Sequence, residues 1–146
     1  MNRAALRDVL IVSLAGLIAP SLWIGIWGLL VAYAWMPLIQ AARPALQITD
    51  RAIVMSAHET FDIIVAAVLA LLITIPIASV VRRNHVGLWF LFIACFVVGS
   101  LLSPGRSVEP ELLTYFFSRP MVWAFVVLSA LGFAVGKHLH RGANVA

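Results

Sequence analysis

Three residues close together in the sequence, His58, Glu59 and Asp62, have side chains that could do chemistry. On an α-helix, His58 and Asp62 lie one turn apart on the same face. An imidazole and a carboxylate in this arrangement can ligate a metal ion, with Glu59 as a general base, as in the His-Glu-x-x-His helix of metalloproteases. Asp62 replaces the second histidine of that pattern, so a third ligand has to come from Glu109, Glu111 or another chain. The pattern predicts candidate functional residues and leaves the metal unknown.

The same residues also fit the start of a helix, which needs no ligand. Ser56 and Glu59 match the capping-box pattern just before an apolar run. Asp62 in a first helical turn would interact favourably with the helix dipole. The sequence alone leaves open whether the cluster is a functional site or only a helix cap.

Asp62 is of further interest because nineteen uncharged residues, 63–81, follow it directly. Ionisable side chains at or inside the boundary of a hydrocarbon span are often functional. Arg51, Arg106 and Arg119 are the candidate partners for its carboxylate.

The composition identifies the surroundings in which these residues must work. The chain has 146 residues, of which 63% are hydrophobic and 11% charged, and its mean hydropathy is +1.04. Soluble domains carry about 25% charged residues, so the lipid bilayer is expected to solvate most of the surface of one domain, residues 1–146. The net charge of +4 is typical of basic cytoplasmic loops and does not indicate a nucleic-acid partner. Neither the single cysteine, Cys95, nor any motif indicates a cofactor.

Hydropathy predicts an all-α, polytopic four-helix transmembrane bundle, because about 20 apolar residues cross the hydrocarbon core. Pro20 is expected to bend the first span, which is longer than a straight crossing requires. Apolar residues in the two loops on the non-cytoplasmic side, 37–55 and 104–119, predict short interfacial segments. The predicted spans cover residues 9–36, 57–81, 86–102 and 120–136.

Small residues on the predicted helices indicate where helices approach closely. Gly132 and Gly136 form a GxxxG pair, with Ser129 one turn earlier, and these three are predicted helix-packing residues. A helix of this chain is the favoured neighbour, and self-association is the alternative. Gly25 and Gly28 add small positions on the first span.

The distribution of lysine and arginine predicts the orientation. Six lie at the N-terminus, in the turn at 82–85 and at the C-terminus, whereas four lie in the two other loops. Both termini are therefore predicted in the cytoplasm, and the bacterial inner membrane is the expected location.

A non-enzymatic role through assembly is the leading functional hypothesis, as a homo-oligomer or as the membrane subunit of a larger complex. The partners are then the lipid bilayer and a second copy or another membrane protein. Ion-coupled transport usually requires a charged residue near the middle of a span. None of the predicted spans has one there. The alternatives are an oligomeric channel or transporter with His58, Glu59 and Asp62 at its mouth, and a membrane-embedded enzyme that uses the same residues.

Overall fold

A computed structural model describes residues 3–45, 51–81, 85–102, 114 and 117–143 of the chain. It is 97% helical, which confirms the all-α class. The helices are α1 (Arg3–Leu30), α2 (Met36–Ala45), α3 (Arg51–Val80), α4 (His85–Leu102) and α5 (Pro120–Ala143). A π-helical turn, Val31–Trp35, joins α1 to α2. Four helical segments are long and apolar enough to cross a membrane, namely Arg3–Pro44, Arg51–Val80, His85–Leu102 and Pro120–His138.

The first helical segment continues beyond the predicted end of its span at residue 36. The π turn, Val31–Trp35, ends just before Pro37, which begins the predicted loop. A proline ring clashes with the carbonyl four residues earlier, and a local π turn is one way in which a helix accommodates it. The helix therefore runs on through α2 where the sequence predicted an interfacial segment in a loop.

The start of α3 corrects the predicted capping box. The helix begins at Arg51, so Ser56 is an interior residue, and its carbonyl accepts a hydrogen bond from Oγ1 of Thr60 at 3.0 Å. The pattern was misleading because residues 53–55 are apolar and continue the helix towards its N-terminus. The other predicted interfacial segment, 104–119, lies almost entirely outside the described residues.

Two parallel helix pairs form the bundle, and α1 with α4 is the first. A Cβ atom on Gly99 would lie 2.5 Å from the carbonyl oxygen of Leu17, and one on Gly16 would lie 2.7 Å from that of Phe92. Glycine is required here because the two backbones are almost in contact.

The second pair consists of α3 and α5, which pack through the predicted GxxxG residues. A Cβ atom on Gly132 would collide with Oγ1 of Thr74, and one on Gly136 would lie 2.5 Å from the Cβ of Ala78. The Thr74 hydroxyl is fully buried and donates to the carbonyl of Ala70 at 2.6 Å. Its polarity is thus satisfied inside its own helix.

Aromatic side chains join the two pairs in the middle of the bundle. Phe125 of α5 stacks on Phe96 of α4 at a centroid distance of 4.4 Å and on Trp23 of α1 at 5.1 Å. Phe92 and Phe133 extend this stack and are almost fully buried. A hydrogen bond between α4 and α5 supplements the aromatic contacts: the indole N–H of Trp89 donates to Oγ of Ser129 at 2.9 Å.

The ends of the bundle place Asp62 at its rim. Pro120 lies as many residues before Gly132 as Asp62 lies before Thr74, and the two helices are parallel. The first residue of α5 and Asp62 are therefore at the same level. From there, residues 63–81 rise about 28 Å at 1.5 Å per residue, close to the thickness of a hydrocarbon core.

A second aspartate lies at the opposite end of the bundle. Asp8 of α1 is only 2% exposed, and its Oδ1 lies 3.1 Å from a guanidinium nitrogen of Arg7. Charged or polar partners of this kind offset the cost of burying a carboxylate.

Candidate functional site

Five side chains from α1, the π turn and α3 form one cluster at the rim, and we refer to it as the Asp62 cluster. Its members are Trp27, Trp35, His58, Phe61 and Asp62. The segment of α1 that carries Trp27 runs antiparallel to α3, so the π turn that follows it comes to lie beside the earlier turns of α3.

Asp62 is the polar centre of the cluster. Its Oδ1 accepts a hydrogen bond from the indole N–H of Trp27 at 2.8 Å. Its Oδ2 lies 3.9 Å from Nε2 of His58, one helical turn earlier. That distance exceeds the usual hydrogen-bond range of about 2.7–3.2 Å, so the two carboxylate oxygens have different surroundings.

Aromatic rings enclose His58 on two sides. The centroid of its imidazole lies 6.3 Å from that of Trp27 and 6.0 Å from that of Trp35. Trp35 also stacks on Phe61 at 4.7 Å with an interplanar angle of 21°. The α3 face that carries the imidazole and the carboxylate is thus covered by two indoles from the preceding helical segment.

The π turn explains how both indoles reach this face. Side chains eight positions apart drift by about 80° around an α-helix with 3.6 residues per turn. A π turn takes more residues per turn, which removes most of that drift between Trp27 and Trp35. Both rings consequently point towards α3.

The predicted trio is only partly brought together. His58 and Asp62 face α1 and are half-buried, with side-chain exposures of 30% and 17%. Glu59 is exposed, because one residue further along a helix points about 100° away. Glu109 and Glu111 lie outside the described residues.

In the described part of the chain, no three His, Cys, Asp or Glu side chains come close enough together to hold a metal ion. Asp62 also pairs with Trp27 and His58 there rather than with an arginine. Arg51 begins α3, three turns away from it. The cluster offers a carboxylate, an imidazole and aromatic faces, and it contains no serine or cysteine nucleophile.

The three predicted helix-packing residues of α5 contact two different helices. Gly132 and Gly136 face α3, whereas Ser129 accepts the Trp89 hydrogen bond from α4 and donates to the carbonyl of Val126 at 2.7 Å. Ser129 therefore takes part in a different helix contact from the two glycines.

Sequence reasoning missed the roles of Trp27, Trp35 and Phe61 in the cluster. Trp23 and Trp27 are one helical turn apart in the sequence, but Trp23 lies in the aromatic core and Trp27 meets Asp62. Thirty-five residues separate Trp27 from Asp62, and no local pattern encodes such a contact. The available signal in the sequence was the presence of two tryptophans, Trp27 and Trp35, towards the end of the first long apolar run.

Comparison of the chain with models of known protein families, with curated proteins and with solved structures finds no match.

Proposed function

We propose that this chain is a small integral membrane protein that works by assembling with other membrane helices, as a homo-oligomer or as a subunit of a larger complex. The four long apolar helices support insertion into a bilayer. The uncharged run from Asp62 to the end of α3 has the length of one crossing. The lysine and arginine distribution supports cytoplasmic termini in a bacterial inner membrane.

The observation that carries the assembly proposal is an open glycine face on α1. A Cβ atom on Gly25 or Gly28 would meet no atom of the described residues within 4 Å, and Ser21 on the same face is also exposed. This face lies opposite the buried stripe of α1 that contains Val12 and Ala19.

Open glycines have a cost that packing normally offsets. A glycine inside a helix is about 0.8–1.0 kcal/mol less favourable than alanine. In membranes, small residues allow another helix to approach closely, and the contact compensates for that cost. Gly16, Gly99, Gly132 and Gly136 have this compensation within the chain. The face with Gly25 and Gly28 would have it in an assembly.

The test is the mass of the complex extracted gently from native membranes, with identification of any co-purifying protein. A fixed multiple of the 15.9 kDa chain supports a homo-oligomer, and a stable foreign partner supports a subunit. A lone monomer in mild detergent and in bilayers contradicts the proposal.

A double variant, Gly25→Leu with Gly28→Leu, tests the face itself. Two leucines hold the helices apart, and we expect roughly tenfold weaker association, about 1.4 kcal/mol. Ala94→Leu is the matched control because Ala94 is an exposed small residue on α4. If the complexes of the double variant and of the control have equal masses, the contact between chains lies on another face.

An oligomeric channel or transporter is the second candidate, and the half-buried Asp62 carboxylate at the rim favours it. Ion or solute flux into liposomes containing the protein, compared with the Asp62→Asn variant, tests it. Flux no higher than that of empty liposomes contradicts it, and equal flux above that level in both proteins shows that the path does not depend on Asp62.

A further inference from the structure

The two oxygens of the Asp62 carboxylate differ in a way that the assembly proposal does not use. Oδ1 is engaged by the Trp27 indole, whereas among the described residues Oδ2 has only His58 nearby, at a distance too long for a hydrogen bond. The side chain is 17% exposed, and no fully buried side-chain oxygen of the described residues lacks a hydrogen bond, so the unbonded Oδ2 is within reach of a small ligand. A carboxylate oxygen that is partly withdrawn from water gains most from a donor that carries positive charge.

The surroundings of Oδ2 select the kind of cation. Zinc requires about four protein or water ligands, and calcium six to eight, but no three candidate ligands converge in the described ranges. An organic ammonium ion has no such requirement, because one carboxylate and nearby aromatic faces are sufficient to hold it. The indoles of Trp27 and Trp35 supply those faces, since their ring centroids lie 6.3 and 6.0 Å from that of the His58 imidazole, which is beside Oδ2.

We propose that the Asp62 cluster binds the ammonium group of an organic cation, with Oδ2 of Asp62 as its counter-ion and the indoles of Trp27 and Trp35 beside it. The exposed Glu59 carboxylate, on the next face of α3, adds to the negative potential without touching the site. Trp27 keeps Oδ1 occupied and thereby directs Oδ2 towards the ligand.

Two sources can deliver an ammonium group to this position. Asp62 lies at the level where α5 begins, which is the boundary of a bilayer crossing. The headgroup of an aminophospholipid reaches this depth from the membrane, and a dissolved alkylamine reaches it from the aqueous side. Neither requires a second copy of the chain, so the binding measurement is independent of the mass of the complex.

The first experiment titrates ethylammonium chloride into the purified full chain in maltoside micelles that contain no amine, with heat as the readout. We expect saturable binding, no binding of the uncharged propanol, and no equivalent heat from sodium chloride. Asp62→Asn removes the charge and keeps an acceptor for Trp27, so the helix contact is preserved. We expect affinity to fall roughly tenfold or more in this variant.

Matched variants separate the site from its surroundings. Glu59→Gln removes the same charge three residues away and should change the affinity less than about twofold, because its carboxylate is in water. Trp35→Leu removes an aromatic face without touching the Trp27–Asp62 bond, and it should weaken binding of tetramethylammonium roughly fivefold. Circular dichroism and elution volume establish that each variant is folded.

The second experiment distinguishes the sources. The protein is reconstituted with phosphatidylethanolamine or with phosphatidylglycerol, and retained lipid is measured by native mass spectrometry. Retention of phosphatidylethanolamine that is lost in Asp62→Asn identifies a lipid headgroup. Binding of ethylammonium without lipid retention identifies a soluble amine. Equal binding of ethylammonium to the native chain and to Asp62→Asn overturns the proposal, and so does the absence of ethylammonium binding together with lipid retention that does not depend on Asp62.

Discussion

Two pairs of glycines in this chain, each about one helical turn apart, have opposite surroundings in the structure. Gly132 and Gly136 of α5 lie against α3 so closely that neither position has room for a methyl group. No atom of the described part of the chain lies within 4 Å of where a Cβ on Gly25 or Gly28 of α1 would be. The comparison shows that a pair of glycines does not by itself reveal whether a helix packs against it, because the packing of the whole chain decides that.

The largest expected effect comes from filling the closed face. Gly132→Ala places a methyl group on Oγ1 of Thr74, which is buried and already bonded to Ala70. Overpacking of this kind costs about 1–3 kcal/mol, and we expect the upper end because the hydroxyl cannot turn away without losing its acceptor. Unfolding by SDS titrated into maltoside micelles, followed by circular dichroism, measures the change. Wild-type stability in this variant would mean that α3 and α5 are further apart than described.

A smaller loss is expected where α1 meets α3 beside its open face. Trp27→Phe keeps an aromatic ring but removes the N–H that donates to Asp62. Hydrogen bonds to charged groups contribute about 1.5–3 kcal/mol, and we expect the lower end because the carboxylate is partly exposed and can recruit water. The same SDS titration measures the loss. A variant as stable as the native chain would show that water already hydrates Asp62 Oδ1.

A weaker bond joins the two helix pairs on the side of α4 and α5. Trp89→Phe removes the donor to Ser129, and we expect a loss of about 0.6 kcal/mol, the average for hydrogen bonds between membrane helices. Ser129 retains its bond to the carbonyl of Val126, so no buried hydroxyl is left without a partner. In the double variant with Ser129→Ala, the loss of unfolding free energy should not exceed the sum of the losses in the two single variants. A loss larger than that sum would contradict this account.

The smallest expected effect has the opposite sign and sharpens the comparison most. Gly25→Ala adds a methyl group in open space and removes the conformational cost of glycine in a helix, so the isolated chain should gain about 0.5 kcal/mol. SDS titration with a large excess of micelles over protein, where the chain is monomeric, measures this gain and compares it with the loss in Gly132→Ala. A loss of stability at Gly25 under those conditions would place a neighbouring helix on this face within the single chain.

Local properties of the sequence predicted most of the architecture. The four apolar spans were found because hydropathy depends on neighbouring residues alone, and α4 and α5 begin within one residue of their predicted starts. The predicted start at Ser56 was wrong because a capping-box pattern has the same appearance inside a continuous helix as at its end. The extension of α1 through the π turn was missed because Pro37 indicates a break in most helices.

The candidate site was less predictable than the helices. His58 and Asp62 were selected because a spacing of four residues puts side chains on one face of any α-helix. Glu59 was selected with them by sequence proximity, and the same helical geometry turns it away. The indoles of Trp27 and Trp35 come from a different helical segment, so their contribution depends on how α1 packs and on the register change in the π turn.

The residue order by itself determined that this chain forms long apolar helices, roughly where each of them begins, and that a carboxylate stands at the edge of one of them. These properties follow from the cost of placing charge and unpaired backbone groups in hydrocarbon, which each segment meets independently. The tertiary structure decided that α1 pairs with α4 and α3 with α5, that one glycine face is closed and another open, and that Trp27 meets Asp62. Those choices depend on which helix surfaces fit together across long stretches of chain, and no single segment carries that information.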